Sequence, residues 1–205
     1  MKEVVLIGYS GHGHVAQDIF EMMGRKVKGY CDLEEKRGNQ SKLLYLGKET
    51  EQDVMETLKS YDCFVAIGDN QKRERTSKYL LSNGIKLINA IHPSSVISGS
   101  VVLGKGVMVG GNAIINAQAD IKDGSICNSA SVVEHNCHVG EYAHIAPGAV
   151  LGGSVKIGNF TLIGAGGVVL HDVTVGDYVI VGAGAVVIRN VENNLKMVGN
   201  PQRRI

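Results

Sequence analysis

The chain has 205 residues, with no tryptophan, few aromatic residues and 27 glycines, a composition suited to narrow coils and tight turns rather than to a thick core. Its formal net charge of +1 argues against the basic face that a nucleic-acid partner demands. No apolar run reaches the length of a membrane span and Met1-Lys2-Glu3-Val4 has no signal-peptide layout, so a cytoplasmic protein without membrane insertion is expected.

In chain order, Val4-Val5-Leu6-Ile7-Gly8 reads as a buried parallel strand. A glycine-rich turn over residues 9–13 follows, and then a short helix over 15–23 with apolar residues at Val15, Ile19, Met22 and Met23. Residues 26–30 form a second strand ending at Cys31-Asp32, and the polar stretch 33–40 reads as a loop, part of a 33–47 segment expected to shape a pocket. Helices over 49–60 and 73–83 flank a strand at 63–67, which runs into Gly68-Asp69-Asn70, and a last strand covers 86–90. Strands alternating with helices predict a small α/β Rossmann-like domain over residues 1–90. Its loop Gly8-x-x-Gly11-x-Gly13 lets backbone approach a phosphate. The spacing is not that of a dinucleotide fingerprint, and such a loop is as often a structural turn.

After His92-Pro93 a six-residue period takes over. Stepping by six from Ile91 reaches Ile97, Leu103, Val109, Ile115, Ile121, Cys127, Val133 and Val139. The series continues through Ile145, Leu151, Ile157, Ile163, Val169, Val175 and Val181 to Val187. All but Cys127 are Ile, Leu or Val, and a small residue such as Ala113, Ser125 or Ala143 comes four positions later. A helical period cannot produce this, but three short strands per coil can, with the aliphatic inward and the small residue at the corner. Residues 91–205 are therefore predicted to form a parallel β-helix of hexapeptide repeats with a short C-terminal tail. Residue i stacks over i+18, and the residue before each inward aliphatic faces out. The column Val102, Asp120, His138, Lys156, Thr174 is mostly polar. The columns Met108, Ile126, His144, Leu162, Ile180 and Ile114, Val132, Val150, Val168, Val186 are apolar, apart from His144. Two apolar edges and one wet edge suit packing about a threefold axis, so a homotrimer is expected.

Two histidines are candidates for chemistry. His144 reads either as a satisfied interface histidine or as a ligand contact at a subunit seam. His135 stacks among Gly99, Ala117 and Gly153, which leaves a groove beside its ring, although a turn histidine is commonly just solvated. His138 falls in the wet column and is expected to be inert. The four cysteines, Cys31, Cys63, Cys127 and Cys137, form no CxxC pair and are expected to be reduced and packed, with no metal.

The hexad pattern resembles the left-handed β-helix acyltransferases, which is where the handedness comes from. The run from Asn128 through Glu134-His135-Asn136-Cys137-His138 to His144-Ile145-Ala146-Pro147-Gly148 resembles the active-site stretch of bacterial nucleotide-sugar acetyltransferases. That group includes the bacillosamine-pathway enzyme that N-acetylates a UDP-linked amino sugar, and sialic-acid-cluster acetyltransferases share the stretch. Gly8-Tyr9-Ser10-Gly11-His12-Gly13 resembles the family's nucleotide-sugar loop, and Gly199-Asn200-Pro201-Gln202-Arg203-Arg204 its usual tail. The resemblance implies acetyl-CoA as co-substrate and His135 as general base, with Asn136 and Glu134 as its neighbours in the site. It further implies Ser10, Gly11, His12, Asp32 and Gly68 at the nucleotide sugar, and His144, Ala165 and Ala183 at the coenzyme. Sites at the interfaces of a homotrimer follow from it, as does N-acetylation of a UDP-linked 4-amino sugar. Some members carry Glu or Asp after the catalytic histidine where this chain has Asn136. An amide holds a tautomer but offers imidazolium no charge, and Glu134 is a candidate to supply one. Three other readings stand beside this: O-acetylation of a sialic-acid-type sugar, a non-catalytic nucleotide-sugar-binding scaffold, and a zinc lyase of the γ-carbonic-anhydrase type, whose ligand spacing the histidines at 135, 138 and 144 do not resemble.

Overall fold

The computed structural model describes residues 2–36 and 43–205, and the chain divides into two units, Met1–Pro93 and Ser94–Ile205. The expected 33–40 loop and 33–47 pocket segment lie partly outside the described residues, which leave out 37–42.

The first unit is an α/β sheet layer. Strand β1 (Val4–Ile7) is buried along its whole length and is followed by α1 (Gly11–Met22) and β2 (Val27–Cys31). Then come β3 (Leu44–Tyr45), α2 (Gln52–Leu58), β4 (Asp62–Val65) and α3 (Asn70–Ser82). The strand order is β3-β2-β1-β4, all parallel. The helix α1 starts four residues earlier than its apolar periodicity begins, because His14 N–H already donates to Ser10 C=O at 3.0 Å. The glycine turn is thus mostly the first turn of a helix. The helix α3 also starts early, at Asn70, because the Asp69 carboxylate accepts from Lys72 N–H at 2.8 Å and caps it. The helix α2 is shorter than expected, its end tightening where Ser60 N–H turns back to Thr57 C=O. Of the strand expected at 86–90, Leu87 makes one bridge to Cys63, where Lys86 C=O and Ile88 N–H bond the edge of β4, and Ala90 begins a separate two-residue strand, Ala90–Ile91.

The second unit is the parallel β-helix. Its two-residue strands run from Val96–Ile97 to Val186–Val187, each bonded to the strand one coil away. Asp120 pairs with His138, Ile126 with His144 and Val132 with Val150. The inward series from Val109 to Val187 is buried throughout, and each side chain contributes roughly 1.5–3 kcal/mol by leaving water. The corner residue ahead of the small one is left-handed even where it carries a side chain, as in Gln118, Asn136, Tyr142, Phe160 and Tyr178. That conformation costs about 1–2 kcal/mol per residue. At the aromatic corners, stacking of the three rings at 5.8 and 4.7 Å offsets part of it. On the second outward column Met108, Ile126 and His144 are buried within the single chain, while Ile180 is exposed. The third column, half-buried from Ile114 to Val186, is therefore the longer accessible apolar edge.

Candidate active site

His135 leaves the strand Val132–Val133 at a corner and stands exposed beside Asn136, whose left-handed backbone (φ 58°) turns its amide back toward the ring. Imidazole Nδ1 lies 2.9 Å from Asn136 Oδ1. An amide oxygen only accepts, so Nδ1 carries the proton and Nε2 presents a lone pair. The Asn136 amide is itself held: Nδ2 donates to Gln118 Oε1 at 2.7 Å, and its backbone N–H donates to Ala117 C=O at 3.0 Å. The ring lies against Gly153, where a Cβ would come within 2.7 Å of both Cε1 and Nε2. Of the small residues that the i+18 stacking places around it, Gly153 is the one the ring packs on, while a Cβ at Gly99 would meet nothing within 4 Å. Glu134 is half-buried, and among the described residues it makes no hydrogen bond to the imidazole, because Asn136 already occupies Nδ1. Gln118 is the neighbour of the Asn136 amide that the sequence reading missed. Stepping back one coil from Asn136 would have found it.

His144, 9% exposed on the strand His144–Ile145, sits with Nε2 3.1 Å from Asn128 Nδ2. Asn128 Oδ1 accepts from Ser129 N–H at 2.8 Å, which leaves the amide nitrogen to face the ring, so Nε2 is the acceptor there. Ala165 and Ala183 are exposed on one corner, joined by Gly184 N–H to Ala165 C=O at 2.9 Å. Together with Pro147 they make a strip of small side chains. His138 is engaged elsewhere: its Nδ1 is 3.4 Å from Asp120 Oδ2, which pairs with Lys122 Nζ at 2.7 Å. Among the described residues no group of three or more His, Cys, Asp or Glu side chains is placed to hold a metal. Burial pushes the Cys127 thiol up to about 12, and also raises that of Cys137, so neither is a nucleophile near neutral pH.

The Met1–Pro93 unit has a cavity of about 530 Å³ whose walls include Ser10, Asp32 and Gly68, three of the five positions expected there. Gly11 is exposed in the first turn of α1, outside the cavity wall. His12 lies behind the wall with its ring packed on Gly68, where a Cβ would approach Cε1 and Nδ1 at 2.8 Å. Burial, and then the charge of Arg73, lower its pKa, so it is neutral at pH 7. The Asp32 carboxylate ties the sheet end together. Oδ2 accepts from Tyr9 N–H at 2.9 Å, and Oδ1 accepts from Leu33 N–H at 2.7 Å and pairs with Lys36 Nζ at 3.2 Å. Ser10 makes no side-chain cap to α1, which leaves first-turn N–H groups and the positive end of the helix dipole for an anion. Lys36, Lys72 and Arg75 add positive charge to the same wall and were not singled out from the sequence. Arg73, fully buried, braces the wall: Nη1 donates to Ile67 C=O at 3.0 Å and Gly68 C=O at 2.9 Å, and Nη2 donates to Asn70 Oδ1 at 2.9 Å. Arg73→Met removes these donors and is expected to cost about 2–4 kcal/mol, read as a lower urea midpoint with the slope unchanged.

The model for the PglD N-terminal domain matches residues 3–80, and that for the bacterial transferase hexapeptide (six repeats) matches residues 154–189. GDP-perosamine N-acetyltransferase of Escherichia coli O157:H7 is 29% identical over 166 residues, covering 73% of this chain and 71% of that protein. A crystal structure of a histidine-to-asparagine mutant of perosamine N-acetyltransferase from Caulobacter crescentus, in complex with CoA and GDP-perosamine, superposes with a TM-score of 0.95. It is 34% identical, over 100% of this chain and 97% of that one. The acetyltransferase domain of PglB from Neisseria gonorrhoeae, in complex with acetyl coenzyme A, superposes with a TM-score of 0.93 at 30% identity, over 100% and 99% of the two chains.

Proposed function

The chain belongs to the nucleotide-sugar acetyltransferase family, with its left-handed β-helix, and from that premise we propose that it moves the acetyl group of acetyl-CoA onto the amine of a nucleotide-linked amino sugar. The observation that carries the reading is the His135 ring, with Nδ1 held by Asn136 and Nε2 presented over Gly153. The neutral amine attacks the thioester carbonyl. As the C–N bond forms, Nε2 takes the proton that the amine must lose. As the C–S bond breaks, the coenzyme leaves as thiolate and takes a proton from the imidazolium, which gives the free thiol and restores the base. Histidine is the side chain suited to exchanging a proton near neutral pH. Backbone N–H groups of the coils are suited to bear the charge developing on the carbonyl oxygen. No acyl-enzyme is required, in keeping with the raised cysteine thiols.

In this reading Ser10 and Gly68 with the start of α1 receive the nucleotide diphosphate, and Asp32 takes the ribose or the base. Gly11 and His12 support that loop from behind, and His144, Ala165 and Ala183 line the coenzyme strip. The apolar third column packs subunits into a homotrimer with sites at the interfaces, and the enzyme works in the cytoplasm, where acetyl-CoA is made. Among the described residues no helix is long and apolar enough to cross a membrane.

The residues themselves do not distinguish uridine from guanosine, and the sequence resemblance pointed to a UDP-linked sugar. The GDP-perosamine relatives make a GDP-linked amino sugar the first substrate to test. Thiol release from acetyl-CoA, followed with GDP-, UDP- and dTDP-linked 4-amino sugars, is expected to occur with one nucleotide and to depend on the free amine. Release with a sugar hydroxyl alone would replace this reading by O-acetylation. Absence of acetyl transfer to any member of the panel or to a free sialic-acid-type sugar would leave a binding scaffold.

A further inference from the structure

We propose that Gln118 is the positioning residue that keeps the proton of His135 on Nδ1, acting through the Asn136 amide; the inference rests on the reading of His135 as the base. A carboxylate beside an imidazole has two equivalent oxygens, both of which only accept, and it needs no help to select the tautomer. An amide has two unlike ends. With Oδ1 toward Nδ1, the ring must carry its proton there and leave Nε2 free. Turned by half a rotation, the amide would present N–H to Nδ1, and the proton would move to Nε2, where no base remains. The imidazole alone does not decide between these arrangements, since either one forms a hydrogen bond.

Gln118 breaks the tie when its own amide presents oxygen. Its Oε1, one coil away, accepts from Asn136 Nδ2 at 2.7 Å, with Asn136 Oδ1 toward the histidine at 2.9 Å. The three residues form a directed series in which each amide gives away N–H on one side and offers oxygen on the other. The register is held by backbone bonds. Asn136 N–H donates to Ala117 C=O at 3.0 Å, and Gln118 N–H donates to Ser100 Oγ at 3.0 Å. Both Gln118 and Asn136 sit at left-handed corners (φ 59° and 58°), so their side chains leave successive coils at the same place. Gln118 is exposed, and alanine is accommodated at an equivalent left-handed corner, Ala130, so removal of its side chain does not threaten the fold.

The test uses the whole protein labelled with ¹⁵N, with the His135 ring signals assigned by their loss in His135→Gln. In the wild type, with the ring neutral, the proton is expected on Nδ1. In Gln118→Ala a mixture with the Nε2-protonated form is expected, together with a fall in kcat of roughly 2–10-fold, the effect of losing one hydrogen bond, with KM for both substrates unchanged. Gln118→Glu, whose carboxylate can only accept, is expected to restore both the Nδ1 tautomer and the rate. A Gln118→Ala protein that keeps the wild-type tautomer overturns the proposal, as does one that redistributes the tautomer without being rescued by glutamate. The tautomer is read without turnover. Normal turnover in His135→Gln would therefore remove the general-base reading, while the ring spectra still decide whether Gln118 controls the proton.

Discussion

His135→Gln is expected to lower kcat for acetyl transfer by roughly 10²–10⁴, with KM for acetyl-CoA and for the nucleotide sugar nearly unchanged. The magnitude is that of a positioned general base. The amine becomes acidic only as the C–N bond forms, so the proton acceptor is needed in the transition state and contributes little to the ground-state complex. Glutamine fills similar space without a basic nitrogen. Because His135 is exposed at a corner, the variant should unfold within about 0.5 kcal/mol of the wild type. The rate that remains reports proximity of the two bound substrates. A variant that keeps turnover within twofold would show that water takes the proton and that His135 is a corner residue only.

Gly153→Ala is expected to reduce kcat by about 10²-fold while leaving the fold intact. The added Cβ would lie 2.7 Å from Cε1 and Nε2 of the His135 ring, inside any real carbon contact. Gly153 lies outside the left-handed region, so alanine strains no backbone there. The side chain of His135 is the part free to yield, and it can do so only by swinging off the groove and giving up its 2.9 Å bond to Asn136. A misplacement of about 1 Å in a catalytic group costs on the order of 10²-fold. The double variant His135→Gln with Gly153→Ala should be no slower than His135→Gln alone, because the two act on one ring. Independent, multiplying losses would mean that Gly153 serves the substrates directly instead of the histidine.

The β-helix was legible because its pattern is local and repeated. One inward aliphatic every six residues sets the coil, and the coil sets the i+18 register. The pairings Asp120 with His138, Ile126 with His144 and Val132 with Val150 could therefore be written down from spacing alone. The helix starts in the first unit were less legible. Of the apolar series in α1 only Ile19 is buried, beside Ala16 and Phe20, while Val15 and Met22 are exposed, and α3 buries Arg73 and Ser77 beside Leu80; the first turns of both are polar or glycine, and the Asp69 cap lay hidden in what read as the end of a strand.

By itself, the sequence determined the β-helix, the small residue Gly153 under His135 and the family's motif around it, because each depends on residue type at a fixed interval. Only the tertiary structure decided how the His135 ring is hydrogen-bonded. The partner of Nδ1 is a neighbour in sequence, but the group that orients that partner lies 18 residues away, and the choice between Glu134 and Asn136 is a matter of direction that composition does not encode. The same holds for the cavity wall. Its cations Lys36, Lys72 and Arg75 and its buried brace Arg73 lie on separate segments, or on a helix turn whose facing is fixed only when the sheet packs. A six-residue repeat constrains each coil directly, whereas a binding wall assembled from loop and helix ends is settled by long-range packing.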